Sequence, residues 1–126
     1  MKYLLCSVVL FGMCGVAATT AHRRPTHFRP FKATAYSDHG VTASGAHTRV
    51  GSVAADPRVL PLGTKIRVTN AGPYSGVYVV TDTGSQVKGH HIDLFVPLRA
   101  AAREFGKKLV LVSVLEWGPR PAAPIT

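Results

Sequence analysis

The chain has 126 residues, fifteen Lys and Arg against six Asp and Glu, and a formal charge of +9. That length allows one domain with a modest core and not two, and the charge favours anionic partners such as cell-wall polymers, lipid headgroups or nucleic acid. Its two cysteines, Cys6 and Cys14, both fall in an apolar N-terminal run, so a disulfide framework and a cysteine-ligated zinc site are excluded from the rest of the chain.

Residues 1–21 read as a secretory signal: Met1-Lys2, an apolar stretch from Leu4 to Ala18, then small residues ahead of H-R-R-P. Cleavage after Ala21, or after Ala18, fits the small-residue rule. About 105 residues then remain, with no stable membrane insertion expected, and loss of Lys2 lowers the balance to +8. Residues 22–30 form a basic, proline-broken arm, residues 31–118 the domain, and residues 119–126 a proline-rich disordered tail.

Within the domain the first strand is predicted over Phe31–Ser37 and the second over Val50–Ala55, the latter delivering Asp56 before Pro57. The segment P-R-V-L-P-L-G is a bend with Val59, Leu60 and Leu62 turned inward. Thr64 to Asn70 alternates apolar and polar, and a short A-G-P connection returns it antiparallel through Asp82. His90 to Val96 alternates again, with His91, Asp93 and Phe95 on one face and Ile92 and Leu94 on the other. A helix is predicted from Pro97, its stripe made by Leu98, Ala101, Ala102 and Phe105, stopped by Gly106. Leu109 to Glu116 is nearly all apolar and reads as a central strand, of the kind covered on both faces. Six short strands and one short helix before the last of them, with no internal repeat, predict an all-β, closed small barrel.

The chemistry concentrates in Y-V-V-T-D-T-G-S-Q-V-K-G-H-H-I-D-L-F, from Tyr78 to Phe95. Asp82 and Asp93 each belong to a strand and are separated by a loop punctuated by Gly84 and Gly89; Asp56 has a similar setting in A-A-D-P-R. With so few acids in the chain, three so placed are expected to form one site. Nearby like charge raises a carboxyl pKa, which is what a proton donor to a glycosidic oxygen requires. On this reading Asp93 is the acid and then the base, Asp82 raises its pKa and stabilises positive charge on the sugar, and Asp56 orients the network. Gly84, Lys88, Gly89, Thr83 and Tyr36 are the candidate substrate contacts. His39, His47, His90 and His91 raise a zinc reading, but there is no metal-ligand motif; no metal and no cofactor is expected. Nor does a G-x-S-x-G elbow surround any serine.

The runs A-T-A-Y (Ala33 to Tyr36), T-A-S-G (Thr42 to Gly45), V-A-A-D-P-R-V-L-P-L-G-T (Val53 to Thr64) and D-T-G-S-Q-V-K-G-H-H-I-D-L-F (Asp82 to Phe95), in this order, resemble the 3D, or three-aspartate, domain. This is the double-psi β-barrel of membrane-bound lytic murein transglycosylase A-like and stationary-phase survival proteins. The resemblance implies a six-stranded double-psi β-barrel whose name-giving aspartates are Asp56, Asp82 and Asp93, with Asp93 in the place of the catalytic acid. It departs from the family at Ser85, where a second glycine is frequent. The implied function is a peptidoglycan lytic transglycosylase-like enzyme, exported to periplasm or cell wall, acting on glycan strands and not on nucleic acid. The alternative is a non-catalytic, expansin-like or rare-lipoprotein-A-like wall-binding module. An isolated barrel offers a shallow site, so a partner protein completing the groove belongs to the expectation.

Overall fold

The computed structural model describes residues 27–120; the segment expected to be a signal (residues 1–21), the first residues of the arm and the end of the tail lie outside the described residues. Six strands close into a barrel: β1 (Arg29–Tyr36), β2 (Ser52–Ala55), β3 (Lys65–Thr69), β4 (Gly76–Asp82), β5 (His91–Phe95) and β6 (Lys108–Glu116), with one helix, α1 (Arg99–Phe105), before β6. Around the barrel the order is β1, β5, β2, β4, β3, β6. Two pairs are parallel, β1 with β5 and β2 with β4, and the rest antiparallel. Exchanging β1, β2, β3 with β4, β5, β6 reproduces the same cyclic order, so the topology has a pseudo-two-fold axis, as expected of a double-psi barrel.

The alternation that defines β3 and β5 in the sequence sets their faces. Ile66, Val68, Ile92 and Leu94 are fully buried inside with Val53, Val80 and Val110, while Lys65 and Arg67 face solvent. Burial of each such aliphatic side chain contributes on the order of 1.5–3 kcal/mol. The β3–β4 hairpin forms as predicted, its connection being a short 3₁₀ turn (Gly72–Tyr74), and Tyr78 is core, with its hydroxyl donating to the Tyr74 carbonyl at 2.6 Å. Leu60 is buried, with Val59 and Leu62 packed against the core, as the proline-rich bend requires.

Three expectations are corrected. Strand β1 starts at Arg29, so the last two residues of the basic arm belong to the barrel, where they pair with Leu111 and Val112 of β6. Helix α1 starts at Arg99 with Leu98 as an extended N-cap, which takes Leu98 off the helical stripe and leaves it 71% exposed; Phe105 alone anchors the helix, edge-on to Tyr74 at 5.4 Å. Strand β6 is apolar on both sides but covered only on one: Val110 and Val112 point inward, whereas Leu109 is 67% exposed. A continuous apolar run cannot by itself distinguish a barrel wall from a sheet covered on both faces.

Gly118 closes the barrel against the bend. Its N–H donates to the buried Thr64 hydroxyl at 3.0 Å, and a Cβ built there would fall on the Leu62 carbonyl oxygen and lie 2.7 Å from the Thr64 nitrogen. Backbone cannot step aside as a side chain can, so Gly118→Ala is expected to destabilise by about 1–3 kcal/mol. Urea denaturation would show a lower midpoint at unchanged slope.

Candidate active site

The site lies on the outer face of the wall formed by β1, β5, β2 and β4. Backbone register sets Thr34 of β1 beside Asp93 of β5, Asp93 beside Ala54 of β2, and Ala54 beside Asp82 of β4. Asp93 points outward because Ile92 and Leu94 fill the interior. Asp82 shares that face for a less obvious reason. By alternation from Tyr78 and Val80, both buried, it belongs inside; a bulge then shifts the β2–β4 register from Val53↔Val80 to Ala54↔Asp82, spending Thr81 as the extra residue and turning Asp82 outward. The Cα atoms of the two aspartates are thus separated by two strand spacings, about 9–10 Å, with Ala54 on the strand between them.

A hydrogen-bonded relay fixes Asp93. Thr34 Oγ1 donates to Asp93 Oδ1 at 2.9 Å and lies 2.9 Å from His91 Nε2. Since the single hydroxyl proton is committed to Asp93, the contact to His91 is an Nε2–H donor to Thr34. Burial pushes the Asp93 carboxyl above its ordinary range; the Thr34 bond and the nearby His91 oppose this, and Asp38 in the loop after β1 adds to it. The carboxylate that assists the shift is therefore Asp38, where the sequence alone points to Asp82.

Asp82 is held by backbone. Its Oδ1 accepts the N–H groups of Ala43 at 3.1 Å and Thr83 at 2.9 Å, tying the long β1–β2 loop to the end of β4. A bridge between Val41 and His47 folds that loop, and the Ser44 N–H docks it onto the carbonyl of bulged Thr81 at 3.0 Å. Beside the aspartates, Tyr36 packs on Phe95 with ring centroids 5.5 Å apart, and its buried hydroxyl has no partner among the described residues. Burial, with Asp82, Asp93 and Asp38 around it, pushes the phenol up to about 12. Tyr36 therefore stays a neutral O–H donor among three acids.

Asp56 is not part of this open cluster. It is 1% exposed, and its two oxygens take the Arg58 backbone N–H at 3.0 Å, Arg58 Nε at 3.1 Å and Nη2 at 2.9 Å, and the Gly89 N–H at 2.9 Å. These bonds, those from the Arg58 side chain first, hold its carboxyl well below the usual range. Asp56 is a strut joining the bend after β2 to the loop before β5, and Arg58, two residues on in A-A-D-P-R, is the partner that sequence reading missed. Gly89 sits at φ 67° and spends its N–H on that strut; Gly84 leaves room for Val87, whose Cγ2 a Cβ there would meet at 2.9 Å. Both glycines shape the loop. Thr83 and Lys88 are exposed at its two ends. Thr34 and Asp38 are the other residues sequence reading passed over. Thr34 could have been found, since two positions before Tyr36 on a strand is the same face.

The chain is 39% identical over 92 residues to the cell wall-binding protein YocH of Bacillus subtilis, covering 66% of this chain and 31% of that protein. It is 38% identical over 80 residues to the putative cell wall shaping protein YabE of the same organism, covering 60% of this chain and 19% of the relative. The chain therefore spans less than a third of these relatives' length. Among solved structures, MltA from Escherichia coli superposes with a TM-score of 0.52 at 25% identity over 63% of this chain and 28% of that one. A second MltA structure, described as a unique lytic transglycosylase fold, gives 0.51 at 26% identity over 64% and 28%. The family model for the 3D domain matches residues 51–116, from the turn into β2 to the end of β6, and the chain belongs to the 3D domain family.

Proposed function

We propose that this domain cleaves the MurNAc–GlcNAc bond of peptidoglycan glycan strands as a lytic transglycosylase, with Asp93 as the one residue that both gives and takes a proton. The observation that carries the reading is the setting of Asp93: outward on the barrel wall, partly buried, its carboxyl pushed up, and held by Thr34. A protonated Asp93 donates to the leaving glycosidic oxygen as the C1–O bond breaks. Positive charge then develops at C1, and Asp82 lies across Ala54 to stabilise it. The resulting Asp93 carboxylate accepts the proton of the sugar's own 6-hydroxyl as that oxygen closes onto C1, so no water is consumed. Tyr36, a neutral phenol packed on Phe95, backs the acids from behind; Asp56, through Gly89, positions the loop that carries Thr83 and Lys88. The substrate places the protein's work outside the cytoplasm, in keeping with a secretory reading of residues 1–21.

A second reading is favoured by one observation: the relative at 39% identity is named for binding the cell wall. On that reading the same face holds glycan without cutting it, and a partner protein completes the groove. Digestion of purified sacculi separates the two. The expected products carry 1,6-anhydromuramic ends, one water lighter than reducing ends, with no oxygen-18 taken up from labelled water. Label at C1 would mean hydrolysis, which needs a second carboxylate to activate water. Tight sacculus binding with no soluble fragment would leave the binding reading.

A further inference from the structure

An open groove of about 1150 Å³ lies away from Asp82 and Asp93, at the other end of β1. It is lined by Arg29 and Phe31 of β1, Arg58 of the bend, His90, the second half of β6, and Trp117 with Arg120 beyond it. Strand β1 links the two places. Arg29 stands in the groove and Tyr36 among the acids, seven residues and about 23 Å of extended strand apart.

The groove's chemistry is one-sided. Among the described residues, three arginines and two histidines, His27 and His90, line it and no Asp or Glu does. Asp56 is buried beneath Arg58, whose side chain remains 76% exposed while bonded to it. The Arg120 guanidinium sits 5.5 Å from the centroid of Trp117, making a shelf with a cationic edge and an apolar face, and Trp117 is 55% exposed. Guanidinium forks match the paired oxygens of a phosphodiester, and the tryptophan face suits the C–H surface of a polyol or sugar between successive phosphates.

We infer that this groove is a second binding site, for a phosphodiester-linked polyol chain of the kind that accompanies a glycan wall. Single-stranded nucleic acid has the same backbone charge but needs aromatic faces open for base stacking. Here Arg120 covers one face of Trp117 and leaves the other free, while Phe31 is buried with its ring edge-on to His90 at 5.0 Å, so the described lining offers one aromatic face and no second platform for a successive base. The groove extends the function beyond bond cleavage: it would hold the domain on the wall while the aspartate face, about 20 Å along β1, meets a glycan.

Trp117 is the chain's one tryptophan, so its fluorescence reports the groove directly. Titrating the full chain with an oligomer of glycerol phosphate is expected to give a saturable change, with binding measured in parallel by calorimetry. Arg29→Gln with Arg120→Gln is expected to weaken it at least tenfold. Lys65→Gln with Arg67→Gln, which removes the same charge from the exposed face of β3, is expected to leave it within about twofold. Equal weakening by both pairs would reduce the effect to net charge and overturn the site. Polyglutamate binding as tightly as the phosphate oligomer would overturn the phosphodiester assignment, and tighter binding of oligothymidylate would replace the polyol with nucleic acid. None of these readouts involves glycan cleavage, so a protein that binds the probe and cuts nothing keeps this groove and loses only the turnover.

Discussion

Asp93→Asn is expected to reduce release of anhydro-ended fragments by about 10²–10⁴-fold, the range a positioned general acid contributes. The melting temperature should hold or rise, because a carboxyl whose folded pKa lies above its unfolded one opposes folding as pH rises through that interval. A folded variant with undiminished release would remove Asp93 from the mechanism. The pH profile gives a sharper reading. The acid must be protonated before it acts, so the rate falls on the alkaline side as Asp93 ionises. Thr34 donates to Asp93 and so favours the charged form. Thr34→Val should therefore move the alkaline limb to higher pH while weakening substrate binding little. A merely structural threonine would lower the rate at every pH and leave the limb where it is.

Asp56→Ala is expected to act on stability and only through it on activity. The change removes the acceptor of four hydrogen bonds at once and leaves the Gly89 N–H without its partner, so the loop that ends at His90 loses its tie to the bend after β2. A fall in melting temperature of about 10 °C at neutral pH is the expected scale for losing a buried network in a domain of this size. The pH dependence has a fixed sign. The folded carboxyl titrates below the unfolded one, so its contribution is whole above about pH 4 and is lost as pH falls further. The wild-type and Asp56→Ala melting temperatures should therefore converge in acid. A constant difference down to pH 2 would show that the bonds are not those of an ionised Asp56.

What the sequence made legible was whatever a two-residue period can carry. The inward sides of β3 and β5 follow from I-R-V and I-D-L, and with them the outward aim of Asp93. What it hid required a third dimension. Alternation alone turns Asp82 into the core, and only the bulge at Thr81, a property of how β4 meets β2, brings it to the face of Asp93. Arg58 stood in plain view next to Asp56, yet its bidentate bond depends on a bend that returns the guanidinium to its own neighbour. The motif resemblance grouped three aspartates by name; the geometry divides them into a facing pair and a strut.

The strand order has a consequence for how the chain reaches this state. Strand β1 is flanked by β5 and β6, so its partners begin at His91 and Lys108. A chain made from its N-terminus leaves β1 with nothing to pair with until β5 has been made. Closure of the barrel waits for β6, the last of its strands, and such non-local pairing places folding in the millisecond-to-second range and not in microseconds. The half-made chain is thus an open polymer, best kept from neighbours by its own charge repulsion until β6 arrives.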